Sequence, residues 1–318
     1  MMICIKDIEN AQLRIHDIIN VTPVISSKIL SMQGHNNIYL KCEHLQKTGS
    51  FKIRGAANKI KNIIEHNNTK HIITASSGNH GKATAYIGKQ LGINVTVIVP
   101  ENATSAKTDA IKNYGGNIIY YGTTTEERLK KVEEIKDENS IAIFDDNLIM
   151  AGNGTIGKEI IKQIPDIDLI YVPIGSGALS SGVATAIKEI NPHIKVIGVE
   201  PENAKTAFLS LNKGEIVVID PPITIADGLR SLKPDTNAFT IMQKYLDDII
   251  LVNEKEIKEA FVFLLEHMKQ LVEPSGAITV AAAMNNKIDI HGKNIVSIIS
   301  GGNISTDNIH KLRKMDKN

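Results

Sequence analysis

The sequence contains few cysteines, and this excludes two kinds of structural chemistry. Among its 318 residues only Cys4 and Cys42 carry a thiol. Two cysteines cannot form a disulfide framework, and neither of these stands at a spacing typical of metal ligands. The cysteine content therefore fits a protein of the reducing cytosol.

An excess of charge of one sign is also missing. Lysine and arginine together number 36, aspartate and glutamate number 35, and the formal net charge is +1. A nearly neutral chain gives no electrostatic reason to expect binding to nucleic acid or to a membrane surface. We therefore expect a small-molecule partner, no nucleic acid and no membrane.

Long hydrophobic runs are absent as well. The first ten residues already include Lys6, Asp7 and Glu9, so they form no apolar core of a signal peptide. No later apolar run approaches the roughly 18 residues that cross a bilayer. These absences predict a soluble, cytoplasmic protein, and 318 residues are enough for about two domains with a large core.

The pattern of apolar residues predicts an α/β protein. The middle of the chain alternates predicted strands with predicted helices, at residues 71–74, 83–91, 95–99, 106–114, 117–121, 125–135 and 141–144. Such alternation is typical of a parallel sheet with buried strands and helices on both faces. We predict a small domain at residues 71–148 and a discontinuous large domain formed by residues 1–70 and 149–318.

The predicted large domain contains further units of the same kind. Its helices and strands are expected at residues 8–18, 38–41, 52–66, 155–163, 169–172, 183–190, 196–199 and 295–299. Asn253 and Glu256 predict a capping pair for one more helix. The apolar face of that helix is expected to contain Ile257, Ala260, Leu264 and Leu271.

Lys52 stands where a predicted strand leads into a predicted helix. It follows Phe51 at the head of an apolar helix face, where partial desolvation favours the neutral amine that attacks a carbonyl. A lysine that forms a Schiff base requires this property. The alternative is that Lys52 and Arg54 are ordinary surface charges that flank the start of a helix.

Two other strand-to-helix turns are rich in small residues. Residues 175–179 and residues 76–81 would each expose backbone N–H groups at a helix N-terminus, which suits a phosphate or a carboxylate. The first turn is equally compatible with a tight connection, or with a dinucleotide fingerprint in which Glu200 binds the ribose. The second turn is equally compatible with a helix cap of small polar residues.

Five short motifs occur in the order in which one enzyme family carries them. They are Ser50-Phe51-Lys52-Ile53-Arg54-Gly55, Ser76-Ser77-Gly78-Asn79-His80-Gly81, Gly175-Ser176-Gly177-Ala178-Leu179, Glu273-Pro274-Ser275-Gly276-Ala277 and Ser300-Gly301-Gly302-Asn303. With these motifs the sequence resembles the fold type II pyridoxal-phosphate enzymes, in the branch of serine racemase and the serine/threonine dehydratases. The resemblance covers nearly the whole chain. It implies two parallel-type α/β domains of the tryptophan synthase β-like architecture, with pyridoxal 5'-phosphate as cofactor.

The resemblance also implies roles around the cofactor ring. Lys52 would hold the cofactor and act as the catalytic base, and Ser77 would face the substrate's α-carbon from the opposite side. Asn79 would hydrogen-bond the cofactor's phenolic oxygen, and Phe51 would lie against the ring, although it is equally compatible with a plain core position. Ser300 would meet the pyridine nitrogen through its hydroxyl. A neutral partner there makes the ring a moderate electron sink.

The cofactor phosphate would lie on the glycine-rich loop, so its predicted contacts are Gly175, Ser176, Gly177, Ala178 and Leu179. The family usually has four glycines here, which makes Ser176 and Ala178 departures. Both keep their backbone donors, and phosphate binding is still expected. The substrate carboxylate would be bound by Ser76, Ser77, Gly78, Asn79, His80 and Arg128, with His80 serving as a turn residue more than as a base.

A divalent-metal site of racemase-like family members is only partly matched. Glu200 and Ala204 occupy two of its positions, but Thr206 stands where the third ligand, a carboxylate, is expected. Losing one negative charge weakens the binding of a hard cation such as Mg²⁺. The sequence therefore argues against a divalent metal at this position.

The resemblance implies a pyridoxal-phosphate-dependent enzyme that acts on serine, threonine or a near relative such as 3-hydroxyaspartate. The products would be the 2-oxo acid with ammonia, the enantiomer, or both. Lys52, displaced from the cofactor by the substrate amine, would remove the α-proton. The resemblance also implies a homodimer.

Three other functions remain open at this point. A nicotinamide-dependent oxidoreductase would use the Gly175 loop and Glu200, but it leaves Lys52 and Ser300 unexplained. An inactive ligand-binding homologue is disfavoured because Lys52, Asn79 and Ser300 occur together. Sulfur-incorporating relatives typically carry a threonine-rich substrate loop and a different lysine motif.

Overall fold

The computed structural model describes residues 2–67, 69–76, 78–103 and 105–314. Its helices are α1 (Ile5–Ile15), α2 (Lys28–Gly34), α3 (Lys52–His66), α4 (Asn79–Leu91), α5 (Ser105–Asn113), α6 (Thr125–Ile135), α7 (Asn147–Gln163), α8 (Ala178–Ile190), α9 (Thr206–Lys213), α10 (Thr236–Tyr245), α11 (Glu254–Glu266), α12 (Pro274–Met284) and α13 (Thr306–Lys314). Its strands are β1 (Val24–Ser26), β2 (Asn37–Cys42), β3 (His71–Ala75), β4 (Asn94–Val99), β5 (Asn117–Tyr120), β6 (Ser140–Ala142), β7 (Leu169–Pro173), β8 (Lys195–Pro201), β9 (Asp248–Val252) and β10 (Asn294–Ile299).

Within these described residues the strands form two sheets. The larger sheet has the order β1-β2-β10-β7-β8-β9, and the smaller has the order β5-β4-β3-β6. Every pair in the smaller sheet is parallel, and in the larger sheet only the edge pair β1–β2 is antiparallel. The predicted α/β class with two parallel-type sheets is therefore confirmed. The short edge strand β1 carries no motif and was not predicted.

The smaller sheet lies within the range predicted for the small domain. Its four strands all fall between residues 71 and 148, whereas the strands of the larger sheet fall outside that range. The predicted division also means that residues 71–148 form one domain and that residues 1–70 and 149–318 together form another. That division into domains stays a prediction.

Helix α7 begins earlier than the sequence predicted. The expected helix covered residues 155–163, but α7 starts at Asn147, where the Asp146 side chain accepts a hydrogen bond from the backbone N–H of Ile149. Glycines hide the helical pattern of this stretch because they carry no side chain. A Cβ at Gly152 would lie 2.5 Å from the carbonyl oxygen of Arg54. The glycine therefore lets α7 approach α3 closely.

The capping pair of helix α11 is confirmed, but one predicted face residue is wrong. Asn253 and Glu256 form a reciprocal capping box at the N-terminus of α11. Leu271 lies beyond the last helical residue, Glu266, and is 47% exposed. The chain leaves the helical path near Lys269, whose φ of 57° is left-handed.

Among the described residues, no helix is long and apolar enough to cross a bilayer. The helices instead bury apolar faces against the sheets. Helix α12 is buried along nearly its whole length and packs against α11, β7 and β10. A helix that is apolar on all sides belongs in the interior of a protein.

Candidate active site

The lysine motif is joined directly to the serine motif at the end of β10. Lys52 is the first residue of α3, and the backbone N–H of Phe51 donates to the carbonyl of Ser300 over 3.0 Å. One residue earlier, Ser50 forms an isolated bridge with Gly301. The carboxyl end of β10 therefore holds the turn that presents Lys52.

Ser300 also contacts the motif that begins helix α12. Its hydroxyl donates to the carbonyl of Ser275 over 3.3 Å, and the backbone N–H of Glu273 donates to the carbonyl of Gly301 over 3.1 Å. The Ser275 hydroxyl in turn accepts the backbone N–H of Gly228 over 2.9 Å. Three of the five motifs thus meet at one edge of the larger sheet.

The glycine-rich loop lies at the same sheet edge, between β7 and α8. Gly177 is the N-terminal cap of α8 and has a left-handed φ of 98°. The first backbone N–H groups of α8, which begins at Ala178, have no acceptor within the helix because they lie at its start. A Cβ at Gly177 would lie 2.9 Å from side-chain atoms of Ala238 and Met242. The conformation and the packing therefore both require glycine there.

Ser176 makes a contact that sequence reasoning missed. Its hydroxyl donates to a carboxylate oxygen of Asp145 over 2.7 Å. Asp145 is partly buried just beyond the end of β6. Burial alone would raise the pKa of Asp145, but Lys52 and His80 nearby, with the Ser176 hydrogen bond, hold it below its usual range. The departure from glycine at position 176 thus links the loop to a carboxylate beside Lys52.

Asn79, the first residue of α4, brings the fourth motif to the same place. Its side-chain Nδ2 donates to Glu273 over 2.7 Å, and its Oδ1 accepts from Asn303 over 2.7 Å. These bonds connect α4, which packs on the smaller sheet, with segments beside the larger sheet. Hydrogen bonds thus join four of the motifs, and the Ser176–Asp145 contact brings the fifth to a carboxylate that Lys52 influences electrostatically.

His80 lies within the site as a neutral ring. Burial lowers the pKa of His80 to about 4, and the nearby Lys52 ammonium adds to this effect. Both ring nitrogens are buried, and neither makes a hydrogen bond to another described residue. The nearby backbone of Ile143 raises the pKa of His80, but this effect is smaller than that of burial. The side chain therefore supplies no positive charge for a substrate carboxylate at neutral pH.

Three other residues, Ser76, Ser77 and Arg128, were predicted to bind the substrate carboxylate through their side chains or backbone. Ser76 is partly buried, and its hydroxyl accepts the backbone N–H of Gly78, the N-terminal cap of α4. Ser77 lies outside the described residues. Arg128 is on α6, where Nη2 donates to Thr125 over 3.1 Å, and Nε and Nη1 are buried with no partner among the described residues. No described contact joins Arg128 to the Lys52 motif.

Glu200 serves a structural role that the sequence did not reveal. Its carboxylate is fully buried and accepts the backbone N–H groups of Ala207 and Phe208 over 2.9 and 2.8 Å, at the start of α9. Burial raises its pKa to about 7. Because both oxygens face α9, this carboxylate does not turn toward the glycine-rich loop as a ribose-binding acid would. The geometry therefore argues against the dinucleotide alternative.

The same geometry bears on the metal alternative. The hydroxyl of Thr206 lies 3.4 Å from Glu200, and Ala204 is buried in a short 3₁₀ turn before α9. In the part of the chain that the structure describes, no group of three or more His, Cys, Asp or Glu side chains has the arrangement of a metal site. One carboxylate already bonded to two backbone donors does not fit the ligand set of Mg²⁺.

Arg54 is not a surface charge but the centre of a buried ionic network. It is fully buried and makes paired hydrogen bonds to Glu43, both of 2.8 Å, and to Glu159, of 2.7 and 2.9 Å. Lys41 is also fully buried and contacts Glu159 over 2.6 Å. Burial would raise the pKa of Glu43, but Arg54 holds it below its usual range. The network fixes α3, and hence Lys52, against β2 and α7.

The residues present fit pyridoxal phosphate. The loop at residues 175–179 presents helix N-terminal N–H groups with the glycine conformation that a phosphate cradle needs. Lys52 is linked electrostatically to Asp145, which is bonded to Ser176 of that loop. Ser300, at the end of β10, carries a neutral hydroxyl suited to a pyridine nitrogen. These side-chain and backbone groups are of the kinds that a phosphate, an aldehyde carbon and a pyridine nitrogen would need.

Comparisons with known proteins show the family of this chain. A model of the family described as pyridoxal-phosphate dependent enzyme matches residues 15–301. An L-threonine ammonia-lyase of Thermotoga maritima is 39% identical over 314 residues, covering 98% of this chain and 78% of that protein. A catabolic L-threonine dehydratase of Staphylococcus aureus is 40% identical over 310 residues, covering 95% of this chain and 90% of that protein. The structure of maize serine racemase superposes with a TM-score of 0.94 at 35% identity, covering 99% of this chain and 98% of that one.

The chain therefore belongs to the pyridoxal-phosphate-dependent enzymes of fold type II. Within them it falls in the serine/threonine dehydratase family, which includes serine racemases.

Proposed function

We propose that this chain catalyses the pyridoxal-phosphate-dependent dehydration and deamination of L-threonine and L-serine. The observation that carries the proposal is the position of Lys52 at the start of α3, where the preceding residue, Phe51, is bonded through its backbone N–H to Ser300. The L-threonine ammonia-lyases at about 40% identity support these substrates. The products are the 2-oxo acid and ammonia.

In this proposal the residues of four motifs have distinct roles around the cofactor. When bound, pyridoxal phosphate withdraws electrons from the substrate's α-carbon and makes the α-proton acidic. Lys52 Nζ holds the cofactor and removes that proton. Ser300 presents a neutral hydroxyl to the ring nitrogen, and the N–H groups of residues 175–179 bind the phosphate. Asn79 donates to the phenolic oxygen.

The substrate carboxylate is bound by the start of α4. Ser76, Ser77, Gly78, Asn79 and His80 contribute backbone donors there in our proposal, because the first N–H groups of a helix have no intrahelical acceptor. His80 contributes through its backbone, since its ring is neutral. Arg128 retains two buried donor nitrogens without a partner among the described residues, and these suit a carboxylate.

A substrate panel tests this function. We expect 2-oxobutanoate from L-threonine and pyruvate from L-serine, measured as 2-oxo acid together with equimolar ammonia. The panel should include 3-hydroxyaspartate, because a hydroxyaspartate ammonia-lyase is the nearest alternative. A clear preference for hydroxyaspartate would replace the proposed substrates. No 2-oxo acid from any β-hydroxy amino acid would refute the function.

Racemisation of serine is a second function that this family supports. The match to maize serine racemase favours it, and so does Ser77, because reversal of configuration needs a proton donor on the side of the α-carbon opposite Lys52. The dehydratases that only eliminate often have alanine at this position. A hydroxyl here therefore makes racemisation chemically available.

Ser77→Ala separates the two functions. If Ser77 carries the second proton, the variant should lose racemisation of both serine enantiomers and most D-serine elimination, while L-threonine elimination by Lys52 survives. Chiral chromatography of serine and a 2-oxo acid assay on the same samples measure both rates. Undiminished racemisation in the variant, or none in the wild type, would mean that Ser77 only caps α4 or binds the carboxylate.

We propose that the enzyme needs no divalent metal. Glu200 supplies the one carboxylate at the candidate position, so chelation with EDTA should change L-threonine turnover by less than about twofold. A large loss that Mg²⁺ restores would show that water or the Thr206 hydroxyl replaces the missing ligand. In that case Thr206→Asp should tighten the metal.

The family resemblance supports two further proposals about the molecule as a whole. We expect a homodimer, which light scattering of the purified protein would measure. We also expect a cytoplasmic location, consistent with a chain whose only two cysteines cannot form a disulfide framework.

A further inference from the structure

Four polar side chains form one continuous chain of hydrogen bonds beside the site. Lys82 Nζ donates to Asn303 Oδ1 over 2.8 Å, and Asn303 Nδ2 donates to Asn79 Oδ1 over 2.7 Å. Asn79 Nδ2 then donates to Glu273 Oε1 over 2.7 Å. The chain therefore begins at an ammonium group and ends at a carboxylate.

The ammonium end determines which way each amide is turned. A lysine Nζ has only donors, so Asn303 must present its oxygen to Lys82. The Asn303 nitrogen then faces away from Lys82, where it donates both to Asn79 and to the carbonyl of Thr48 over 2.9 Å. Because Asn303 presents a donor, Asn79 must present its oxygen to Asn303. The nitrogen of Asn79 is thereby placed on the side of Glu273.

The carboxylate end selects the same orientation independently. An ionised glutamate only accepts hydrogen bonds, so Glu273 requires a donor from Asn79. Glu273 is itself held in place, because it is buried and its backbone N–H donates to Gly301. A Cβ at Gly301 would lie within 2.3 Å of the Glu273 carboxylate, and only glycine leaves room for it. The two charged ends therefore agree on one orientation for both amides.

We infer that Lys82 and Glu273 are positioning residues that fix the amide of Asn79 toward the cofactor. Asn79 Nδ2 carries two hydrogens, and Glu273 takes one of them, which leaves the other for a ligand oxygen. If the amide turned over, its oxygen would instead face the phenolic oxygen, and two acceptors would oppose each other. The inference rests on the proposed role of Asn79 and adds the residues that orient it.

Lys82→Met tests the ammonium end. Methionine is of similar length but donates no hydrogen bond, so Asn303 and Asn79 lose their fixed orientation from that side. Because Glu273 still holds Asn79 in this variant, we expect the affinity for pyridoxal phosphate to fall only about twofold to threefold, and about tenfold once Glu273→Gln is added, in line with the loss of one hydrogen bond to the cofactor. We also expect the pH dependence of the bound cofactor's absorbance to shift, because the phenolic oxygen loses a donor.

Two further variants make the result specific. Lys82→Arg keeps a group that only donates, and it should bind the cofactor within about threefold of the wild type. Lys89 is an exposed lysine of the same helix, and its side chain donates to the carbonyl of Asn113. Lys89→Met should leave the cofactor affinity and the pH dependence of the absorbance unchanged. Thermal unfolding of each apoprotein checks that the fold is retained. Glu273→Gln removes the fixed acceptor at the other end, since glutamine can donate as well as accept, and combining it with Lys82→Met removes both charged ends. If the double variant does not fold, the orienting role requires that both single variants weaken binding and shift the spectrum.

The outcomes separate this inference from the proposed function. If the wild type binds pyridoxal phosphate at Lys52 but the double variant Lys82→Met, Glu273→Gln binds it with unchanged affinity and spectrum, the orienting role is refuted and the function stands. Weakened binding without any spectral shift would also refute it, because the defect would then not concern the phenolic oxygen. If the wild type does not bind the cofactor at Lys52, the proposed function itself fails.

Discussion

Lys52→Ala is expected to abolish turnover of L-threonine while leaving the fold intact. The same amine holds the cofactor and removes the α-proton, so its loss should lower kcat by more than about 10³-fold. The side chain is only partly buried at the first residue of α3, and alanine is a better helix former than lysine, so little stability should be lost. A 2-oxo acid assay and urea unfolding of the same preparation measure the two effects.

A matched control lies on the same helix. The Lys61 side chain is 21% exposed and forms an ion pair with the more exposed Asp17, over 2.8 Å, and Lys61→Ala should retain nearly full turnover. If Lys52→Ala turned over L-threonine at a rate close to that of this control, Lys52 would be neither the cofactor lysine nor the base.

Arg54→Met is expected to be the most destabilising single change in the chain. It would leave the carboxylates of Glu43 and Glu159 buried with only Lys41 as a counter-charge. Removing one partner from a buried ionic network typically destabilises a protein by about 3–5 kcal/mol. The free energy of unfolding in urea should fall by that amount, or the protein should fail to fold.

Two comparisons show whether the loss comes from uncompensated charge. Arg313→Met removes an arginine whose side chain is 61% exposed in its ion pair with Glu266, and it should change the free energy of unfolding by no more than about 1 kcal/mol. Adding Glu43→Gln to Arg54→Met should recover part of the loss, because Lys41 then balances the one remaining carboxylate, Glu159, and a neutral amide is cheaper to bury than a carboxylate. A variant Arg54→Met as stable as the wild type would contradict the network's role.

The parts of the site that could be predicted from the sequence are those that local sequence specifies. Lys52, the turn at residues 175–179 and Ser300 each stand at a strand–helix junction, and in parallel sheets the carboxyl ends of strands share one edge. The motifs could therefore be placed together before any contact was known. Roles at individual atoms still depend on the experiments above.

Contacts between distant single residues could not be predicted. Arg54 is 105 positions from Glu159, and nothing near either residue signals the partner. Asp145 and Lys82 are each one charged residue in a polar stretch, so their contacts with Ser176 and Asn303 depend on tertiary packing alone. Elements with weak or uniform patterns were missed for a related reason. Helix α12 is apolar on all sides and shows no helical period.

Glu200 shows that sequence can single out a residue without specifying what its side chain contacts. Its place at the end of β8 suggested a ribose-binding acid or a metal ligand, and both uses require a carboxylate that faces a ligand. The structure directs it to the backbone of α9. Local sequence identified an unusual acid but could not specify the direction of its side chain.

Borohydride reduction followed by peptide mapping tests the central claim most directly. Reduction of the purified enzyme should bleach the violet absorbance of the bound cofactor and fix it to the protein through a stable bond. Mass spectrometry should then find one phosphopyridoxyl group, on the peptide that contains Lys52. A label on a different lysine, or an unlabelled protein that instead carries a nicotinamide dinucleotide, would contradict the account.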